Sequence, residues 1–116
     1  AIWQWGAGAT DRAATDTWGD EAHADAQFAK MKMHFVERGV GVILGEFCAI
    51  ARPQPGAETY RLAWTRHVAR SARAHGLVPV YWDNGGTGDA SMGLFDRRTG
   101  AQVYPALLSA LVGAAQ

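Results

Sequence analysis

Two short apolar runs, separated by a segment with helical periodicity, constrain the fold of this 116-residue chain more than any other feature. The runs are VGVILGEF, residues 40–47, and LVPVYW, residues 77–82, and neither alternates apolar with polar residues. Runs of this kind are typical of parallel strands that helices cover on both faces. We therefore expect two parallel strands in an α/β arrangement, although Pro79 removes a backbone donor from the second strand.

Three segments around these runs carry helix signals. The first spans residues 20–38 and is followed by Gly39, which is a natural helix stop. The second spans residues 57–75, and the third opens at Pro105, where the missing N–H costs little. Apolar residues recur along one face of the first two helices. The residues expected on these faces are Ala24, Phe28, Met31 and Phe35 in the first helix and Tyr60, Trp64, Val68 and Ala72 in the second.

The first nineteen residues are rich in glycine, alanine, threonine and aspartate and show no sustained periodicity, which indicates a loop. Three of the five tryptophans in the chain, Trp3, Trp5 and Trp18, lie within this loop. Exposed indole rings on loops suit sugar rings, but indoles also pack beneath long loops. The sequence leaves both interpretations open.

Two parallel strands do not form a complete α/β domain. Helices can cover the faces of such a sheet, but its edges keep unpaired backbone donors and acceptors. We therefore expect the chain to pair with further strands, from a missing segment or from another polypeptide. The amino terminus, AIWQWGAG, has neither an initiator methionine nor the features of a signal peptide, so the sequence is expected to begin inside a longer protein.

Composition and charge argue against several classes of function. Acidic and basic residues number 11 each, so no long-range field favours nucleic acid or an anionic membrane. No apolar run approaches the roughly 20 residues that span a bilayer. Cys48 is the single cysteine, which excludes an intrachain disulfide and a multi-cysteine metal site. The four histidines lie on predicted helices without the spacing of a zinc motif, so we expect no metal site.

Polar and aromatic side chains stand where both predicted strands end, and functional residues of parallel α/β folds collect at these ends. Glu46 closes the first strand, and Trp82, Asp83 and Asn84 close the second. A carboxylate in this position is costly to bury without a partner, so Glu46 is either a functional group or half of a salt bridge. Asp83 and Asn84 precede two glycines, so a turn explains them as well as a ligand-binding role does.

The order and spacing of several motifs resemble glycoside hydrolase family 5. GVGVILGEFCA resembles the seventh barrel strand of the family, and TYRLAWTRHVARSARAHGL resembles the helix before the eighth strand. VPVYWDNG followed by GLFDRRTG resembles the eighth strand with its turn, and YPALLSAL resembles the last helix. The resemblance covers roughly residues 28–112 and implies the C-terminal part of a TIM (β/α)8 barrel, which is an α/β fold. Residues 1–116 would then be one segment of a single catalytic domain, with a loop at 1–19 and helix–strand–helix–strand–helix at 20–116.

Within the family the motifs look most like those of endo-β-1,4-glucanases, which implies hydrolysis of a β-glucan polysaccharide with retention and without a cofactor. By this resemblance Glu46 corresponds to the catalytic nucleophile, and Trp82 corresponds to the platform beneath the sugar at the cleavage point. The resemblance also makes the peptide between Trp82 and Asp83 a candidate cis bond. The candidates for substrate binding are Trp82, Asn84, Asp83, Trp18 and Trp5.

The resemblance further implies a partner segment and a location. The acid/base of the family belongs to an Asn-Glu pair that ends the fourth strand, and no such pair occurs in this sequence. The remaining N-terminal barrel segment, in the same or a separate chain, is therefore expected to supply the acid, and this chain alone is expected to be inactive. The implied location is extracellular. Cys48 and Gly41 depart from the glycine and proline that are usual in the family, which leaves the role of Cys48 open.

Three alternatives stand beside this interpretation. The same family acting on mannan, xyloglucan or a mixed-linkage glucan differs only in substrate, and a panel of polysaccharides distinguishes the cases. A non-catalytic carbohydrate-binding module predicts cellulose binding that Glu46→Gln leaves unchanged. An unrelated small α/β protein predicts a self-sufficient sheet with more strands than the two counted here.

Overall fold

The computed structural model describes residues 2–16 and 19–114. The two strands form one parallel sheet, in the α/β order that the sequence predicts. Nowhere in this part of the chain is a helix both long and apolar enough to cross a membrane. The elements are α1 (Glu21–His34), a 3₁₀ turn (Val36–Arg38), β1 (Val42–Phe47), α2 (Ala57–Ala74), β2 (Leu77–Tyr81) and α3 (Pro105–Ala114).

The first helix is shorter than its periodicity predicts. Asp20 caps its N-terminus, where Oδ1 accepts a hydrogen bond from His23 N at 2.9 Å. The helix stops before Phe35 because that residue leaves the helical region at φ −129°, and Gly39 closes the following turn at φ 77°. Phe28 is buried as expected. Phe35 was expected on the same buried face and is instead 44 % exposed, because it lies beyond the end of the helix.

A single apolar core joins the three helices to one face of the sheet. Side chains of β1 and β2 meet the buried side of α2, with α1 and α3 contributing from either end of the chain. Because this core includes residues from all five regular elements, burial of apolar surface holds each element in place. Its buried members are Phe28, Phe47, Val68, Ala69, Ala72, Leu77 and Ala114.

The opposite face of the sheet is uncovered, which corrects the expectation that helices cover both faces of the strands. Ile43 of β1 is 67 % exposed, and Val78 and Val80 of β2 are 50 % and 45 % exposed. Side chains alternate between the two faces of a strand, so these three share one face while Leu44 and Leu77 pack into the core. The helices all pack on the core side, which is why this face stays bare. We call the surface formed by Ile43, Val78 and Val80 the open sheet face.

A β-bulge interrupts the sheet where β1 ends. Leu44 pairs with Pro79, and the next pair is Phe47 with Tyr81. β1 therefore uses two residues where β2 uses one, and the second of the two is Glu46. Bulges re-aim the side chains that follow them. Phe47 consequently points into the core while Glu46 is exposed at the carboxyl end of the strand.

The segment before α1 is held together by one buried amide. Gln4 is 5 % exposed and forms an isolated parallel bridge with Thr15. Its Oε1 accepts hydrogen bonds from Thr10 N at 2.7 Å and from Asp11 N at 2.8 Å. These contacts close the segment into a loop, which packs on α2 where Tyr60 Oη donates to Gly8 O at 3.1 Å.

Candidate functional site

A groove at the carboxyl ends of the two strands contains both Glu46 and Trp82. The ladder brings the strand ends together, because Trp82 N donates a hydrogen bond to Phe47 O at 3.1 Å. Two residues that lie far apart in the sequence thus share one surface. The groove has a volume of about 480 Å³ and is lined by Glu46, Phe47, Cys48, Trp64, Trp82 and Met92.

Glu46 presents an exposed carboxylate to this groove. Within the described part of the chain, no hydrogen bond or ion pair engages it. The salt-bridge interpretation therefore finds no support in the described residues. An ionised carboxylate that is free of internal partners is chemically able to attack an electrophilic carbon or to accept a proton.

Trp82 is 46 % exposed beside Glu46, so a large part of its indole ring is available to a ligand. The described residues contain no cis peptide bond, and the prediction of a cis bond between Trp82 and Asp83 is therefore wrong. A trans peptide is the favoured form for any residue other than proline.

Asp83 organises the loop that follows β2. Its Oδ1 accepts from Gly85 N at 2.7 Å and from Arg97 Nη2 at 3.2 Å, and its Oδ2 accepts from Leu94 N at 2.9 Å. Burial works against ionisation, but the hydrogen bonds from Leu94, Gly85 and Arg97 outweigh it and hold the pKa of Asp83 below its ordinary value. These contacts favour the turn interpretation of Asp83, and its role as a substrate ligand stays a prediction.

Asn84 combines a turn contact with a free donor. Its Oδ1 accepts hydrogen bonds from Gly86 N at 3.1 Å and from Met92 N at 3.0 Å, which fixes the orientation of the amide. Among the residues that the structure describes, none accepts a hydrogen bond from its Nδ2, and the side chain is exposed. A substrate hydroxyl is a suitable acceptor for this donor.

The two loop tryptophans that were predicted to bind substrate have different outcomes. Trp18 lies outside the described residues. Trp5 donates from Nε1 to Gly19 O at 2.5 Å, and its ring centroid lies 5.7 Å from that of His67, so it anchors the loop to α2. Trp5 also lines a smaller pocket of about 240 Å³, which shares Trp64 with the groove. Its contacts fit the packing interpretation, and its role in binding stays a prediction.

Three groove or near-groove residues were missed or left unassigned by sequence reasoning. Met92 reaches the groove as an apolar residue inside a glycine-rich loop, which is the signal that would have identified it. Burial raises the pKa of the Cys48 thiol, Glu46 adds to this effect and Arg61 opposes it, so the thiol at the groove stays protonated near neutral pH. Trp64 was expected to be buried, and it forms a half-buried wall of the groove.

The described residues contain no group of three or more His, Cys, Asp or Glu side chains that could hold a metal ion. The groove itself places the Glu46 carboxylate beside the exposed indole ring of Trp82.

Known proteins are similar to this chain over almost its whole length. Endoglucanase A of Paenibacillus barcinonensis is 37 % identical over 113 residues, which are 96 % of this chain and 28 % of that protein. A family 5 xyloglucanase from Paenibacillus pabuli, solved in complex with ligand, has a TM-score of 0.95 at 35 % identity and is matched by 99 % of this chain over 33 % of its own. A family 5 lichenase from Caldicellulosiruptor sp. F32 has a TM-score of 0.80 at 28 % identity, with 100 % of this chain matching 29 % of it. No family profile matches the sequence.

The chain spans about a third or less of the length of each of these relatives. It therefore matches one segment of the larger domain of those relatives, and a parallel strand pair with one uncovered face fits such a segment. The sequence agrees with this geometry. Over nearly every residue, the chain is more than one third identical both to an endoglucanase and to a family 5 enzyme of known structure. In sequence and in fold, the chain is similar over nearly its whole length to a C-terminal segment of the (β/α)8 barrel of glycoside hydrolase family 5 enzymes.

Proposed function

We propose that this chain is part of a retaining endo-β-1,4-glucanase and that Glu46 is the nucleophile of that enzyme. The observation that carries the proposal is the groove, where an exposed carboxylate that no described residue engages by hydrogen bond or ion pair lies beside the exposed ring of Trp82. The ring offers a flat apolar surface to a pyranose while the carboxylate meets the anomeric carbon. Similarity to a protein named endoglucanase supports the reaction class.

The reaction proceeds in two displacements on this geometry. In the first, a Glu46 carboxylate oxygen attacks the anomeric carbon, the glycosidic C–O bond breaks, and a second carboxylic acid protonates the leaving oxygen. In the second, the same partner removes a proton from water, water attacks the anomeric carbon, and Glu46 leaves as a carboxylate. Both displacements invert the carbon, so the configuration is retained overall.

The partner acid comes from outside the described residues in this proposal. Glu58 pairs with Arg61 at 3.3 Å, and Glu21 accepts a hydrogen bond from Ala7 N at 3.0 Å, so neither faces the groove. Glu37 lies on the exposed 3₁₀ turn. The chain alone is accordingly inactive or nearly so, and the rest of the barrel completes the site.

Reassembly tests the proposal. This chain, mixed with a barrel segment that carries an Asn-Glu strand end, is expected to regain hydrolysis of β-1,4-glucan with retained configuration at the new reducing end. Glu46→Gln removes the nucleophile and keeps the shape, and we expect it to lower kcat by about a thousand-fold or more. Glu37→Gln is the matched control and leaves activity unchanged. Full activity of Glu46→Gln would show that the nucleophile assignment is wrong.

Xyloglucan and mixed-linkage glucan are the second candidate substrates, because solved relatives are named xyloglucanase and lichenase. The ranking of kcat/KM on cellulose derivatives, xyloglucan, mixed-linkage glucan and mannan decides among them. A non-catalytic binding module is distinguished in the same experiment, since it predicts binding to polysaccharide without any release of reducing sugar.

We also propose that the complete enzyme acts outside the cell. A polymeric glucan cannot cross a membrane before it is cleaved, so its hydrolysis precedes uptake. Activity in the medium of intact producing cells is the expected result, and activity that appears only after lysis would contradict it.

A further inference from the structure

Arg61 is a charged side chain within the buried stripe of α2. It is 4 % exposed, and its neighbours along the stripe, Thr65 and Val68, are 0 % and 5 % exposed. Its carboxylate partner Glu58 is 3.3 Å away but has 48 % of its side chain exposed, so the pair is solvated on one side only. Burial of a guanidinium in this way costs more free energy than burial of an apolar residue of similar size. The hydrogen bonds of the guanidinium indicate which parts of the structure it holds in place.

The guanidinium connects the two strand ends that form the groove. Arg61 Nε donates to Ala49 O at 2.8 Å, in the segment just after Glu46. Arg61 Nη2 donates to Tyr81 Oη at 3.4 Å, and Tyr81 directly precedes Trp82. One rigid planar group thus holds the backbone behind the carboxylate and the strand behind the indole at a fixed separation.

The same group is also connected to the loop that closes the groove. Tyr81 Oη donates onward to Met92 O at 2.8 Å, and Met92 lines the groove. The guanidinium carbon of Arg61 lies 4.4 Å from the ring centroid of Tyr104, whose hydroxyl donates to Thr87 O at 2.7 Å. Both tyrosine hydroxyls therefore hold loop carbonyls, and Arg61 contacts the hydroxyl of Tyr81 and the ring of Tyr104.

We propose that Arg61 is a positioning residue for glycosidic bond cleavage, which sets the placement of Glu46 relative to Trp82. This inference rests on the proposed function. Arg61 does not line the groove and acts only through the groups it holds. Its geometry is needed rather than its charge, because a guanidinium offers several donors in a fixed plane whereas an ammonium is a compact point charge. Displacement of a reacting group by about 1 Å can cost about 100-fold in rate, so the loss of one bridge is expected to be visible in kcat.

Arg61→Lys in the complete, active enzyme tests the role of geometry. Lysine keeps the charge but cannot reach Ala49 O and Tyr81 Oη together, so we expect kcat to fall by about 10- to 100-fold while KM changes by less than about threefold. Arg66→Lys is the matched control, since Arg66 is exposed on the same helix, and it keeps wild-type kcat. All rates are measured well below the melting temperature of each variant. Wild-type kcat in Arg61→Lys would overturn the proposal.

A double-mutant cycle separates positioning from simple helix stability. Tyr81→Phe removes one hydroxyl from the bridge and nothing from the core, and it is expected to lower kcat by about 3- to 10-fold even if Arg61→Lys fails to fold. Where both variants fold, their effects on kcat are expected to be strongly non-additive, because they break the same connection. Additive effects, or a lowered melting temperature with unchanged kcat, would mean that Arg61 only stabilises the fold.

The outcome for Arg61 is separable from the outcome for the proposed function. If Glu46→Gln abolishes β-glucan hydrolysis and Arg61→Lys does not slow it, the nucleophile assignment stands and the positioning role fails. If Glu46→Gln remains active, the proposed function itself fails, whatever Arg61→Lys does.

Discussion

The bulge at the end of β1 determines what the individual residues of the groove can do. Without the extra residue, strand alternation would place Glu46 and Phe47 differently, and one of them would conflict with its surroundings. With it, Phe47 enters the core at 6 % exposure while the carboxylate remains in solvent. The local irregularity therefore separates a buried packing residue from an exposed carboxylate at adjacent positions.

Trp82 provides a direct test of the groove at the residue scale. Removal of the indole by Trp82→Ala is expected to lower kcat/KM by about 30-fold, which corresponds to about 2 kcal/mol of lost contact with the sugar. Trp82→Phe keeps an aromatic face and is expected to recover most of that loss. Steady-state kinetics on soluble β-glucan measures both variants, and unchanged kcat/KM in Trp82→Ala would exclude the platform role.

Of the candidate site residues, the two that share the groove, Glu46 and Trp82, are those whose position in the sequence carries a signal. Glu46 and Trp82 follow apolar runs, and the ends of parallel strands are where such residues collect. The burial of Arg61 was not predicted, because a buried helix face is recognised in a sequence by its apolar residues and Arg61 is charged. The bulge was missed because it depends on pairing between strands, which a single sequence does not encode locally.

At the scale of elements, the C-terminal boundary of α1 is another feature that the sequence pattern did not predict correctly. The helical periodicity of apolar residues continues through Phe35, but α1 ends at His34. The chain then forms the 3₁₀ turn that ends at Gly39. The strands were located correctly by their apolar runs, whereas their burial was overestimated. An apolar run without alternation predicts that other elements pack on both faces of the strand. In the described chain the helices pack on one face only.

Helices α1 and α2 are joined by a polar cluster whose strength depends on pH. Asp25 Oδ1 accepts from Ser71 Oγ at 2.5 Å and lies 2.8 Å from His67 Nε2. The Ser71 hydrogen bond is the main reason that the pKa of Asp25 lies below its ordinary value of 3.8, with His67 and His75 adding to it and burial opposing it. Because the carboxylate ionises more readily in the folded state, its stabilising contribution is present above pH 3.8 and is lost as the pH falls through the folded-state pKa.

Asp25→Asn is expected to loosen α1 at neutral pH and to have a smaller effect in acid. The measurement is amide hydrogen exchange across α1 in the complete enzyme, compared with wild type at matched pH. Protection is expected to be lower in the variant at pH 7, and the difference is expected to shrink as the pH falls below 3.8 and through the folded-state pKa of Asp25. Glu37→Gln, which changes an exposed carboxylate outside this cluster, serves as control. A difference that persists unchanged at the lowest pH would show that shape rather than charge holds the helices.

On the scale of the whole molecule, the described chain contains a two-stranded sheet with no further strand on either side. Each strand has one partner, so each also has an edge whose backbone groups pair with no other described strand. The open sheet face adds apolar surface to those edges, and Ile43, its most exposed member, is 67 % exposed. An enzyme of this family would bury the face and both edges inside its barrel.

The isolated chain is therefore expected to unfold over a broad temperature range, and the complementary barrel segment is expected to sharpen the transition while restoring activity. Ile43→Lys places a charge on the surface that must be buried, so it is expected to prevent both effects. Val112→Lys is the matched control, because Val112 is 55 % exposed on α3, outside the open sheet face, and the barrel is expected to reassemble normally with it. A sharp two-state melt of the monomeric chain would mean that the sheet is self-sufficient. Reassembly of Ile43→Lys as efficient as that of Val112→Lys would mean that the two segments meet through some other surface.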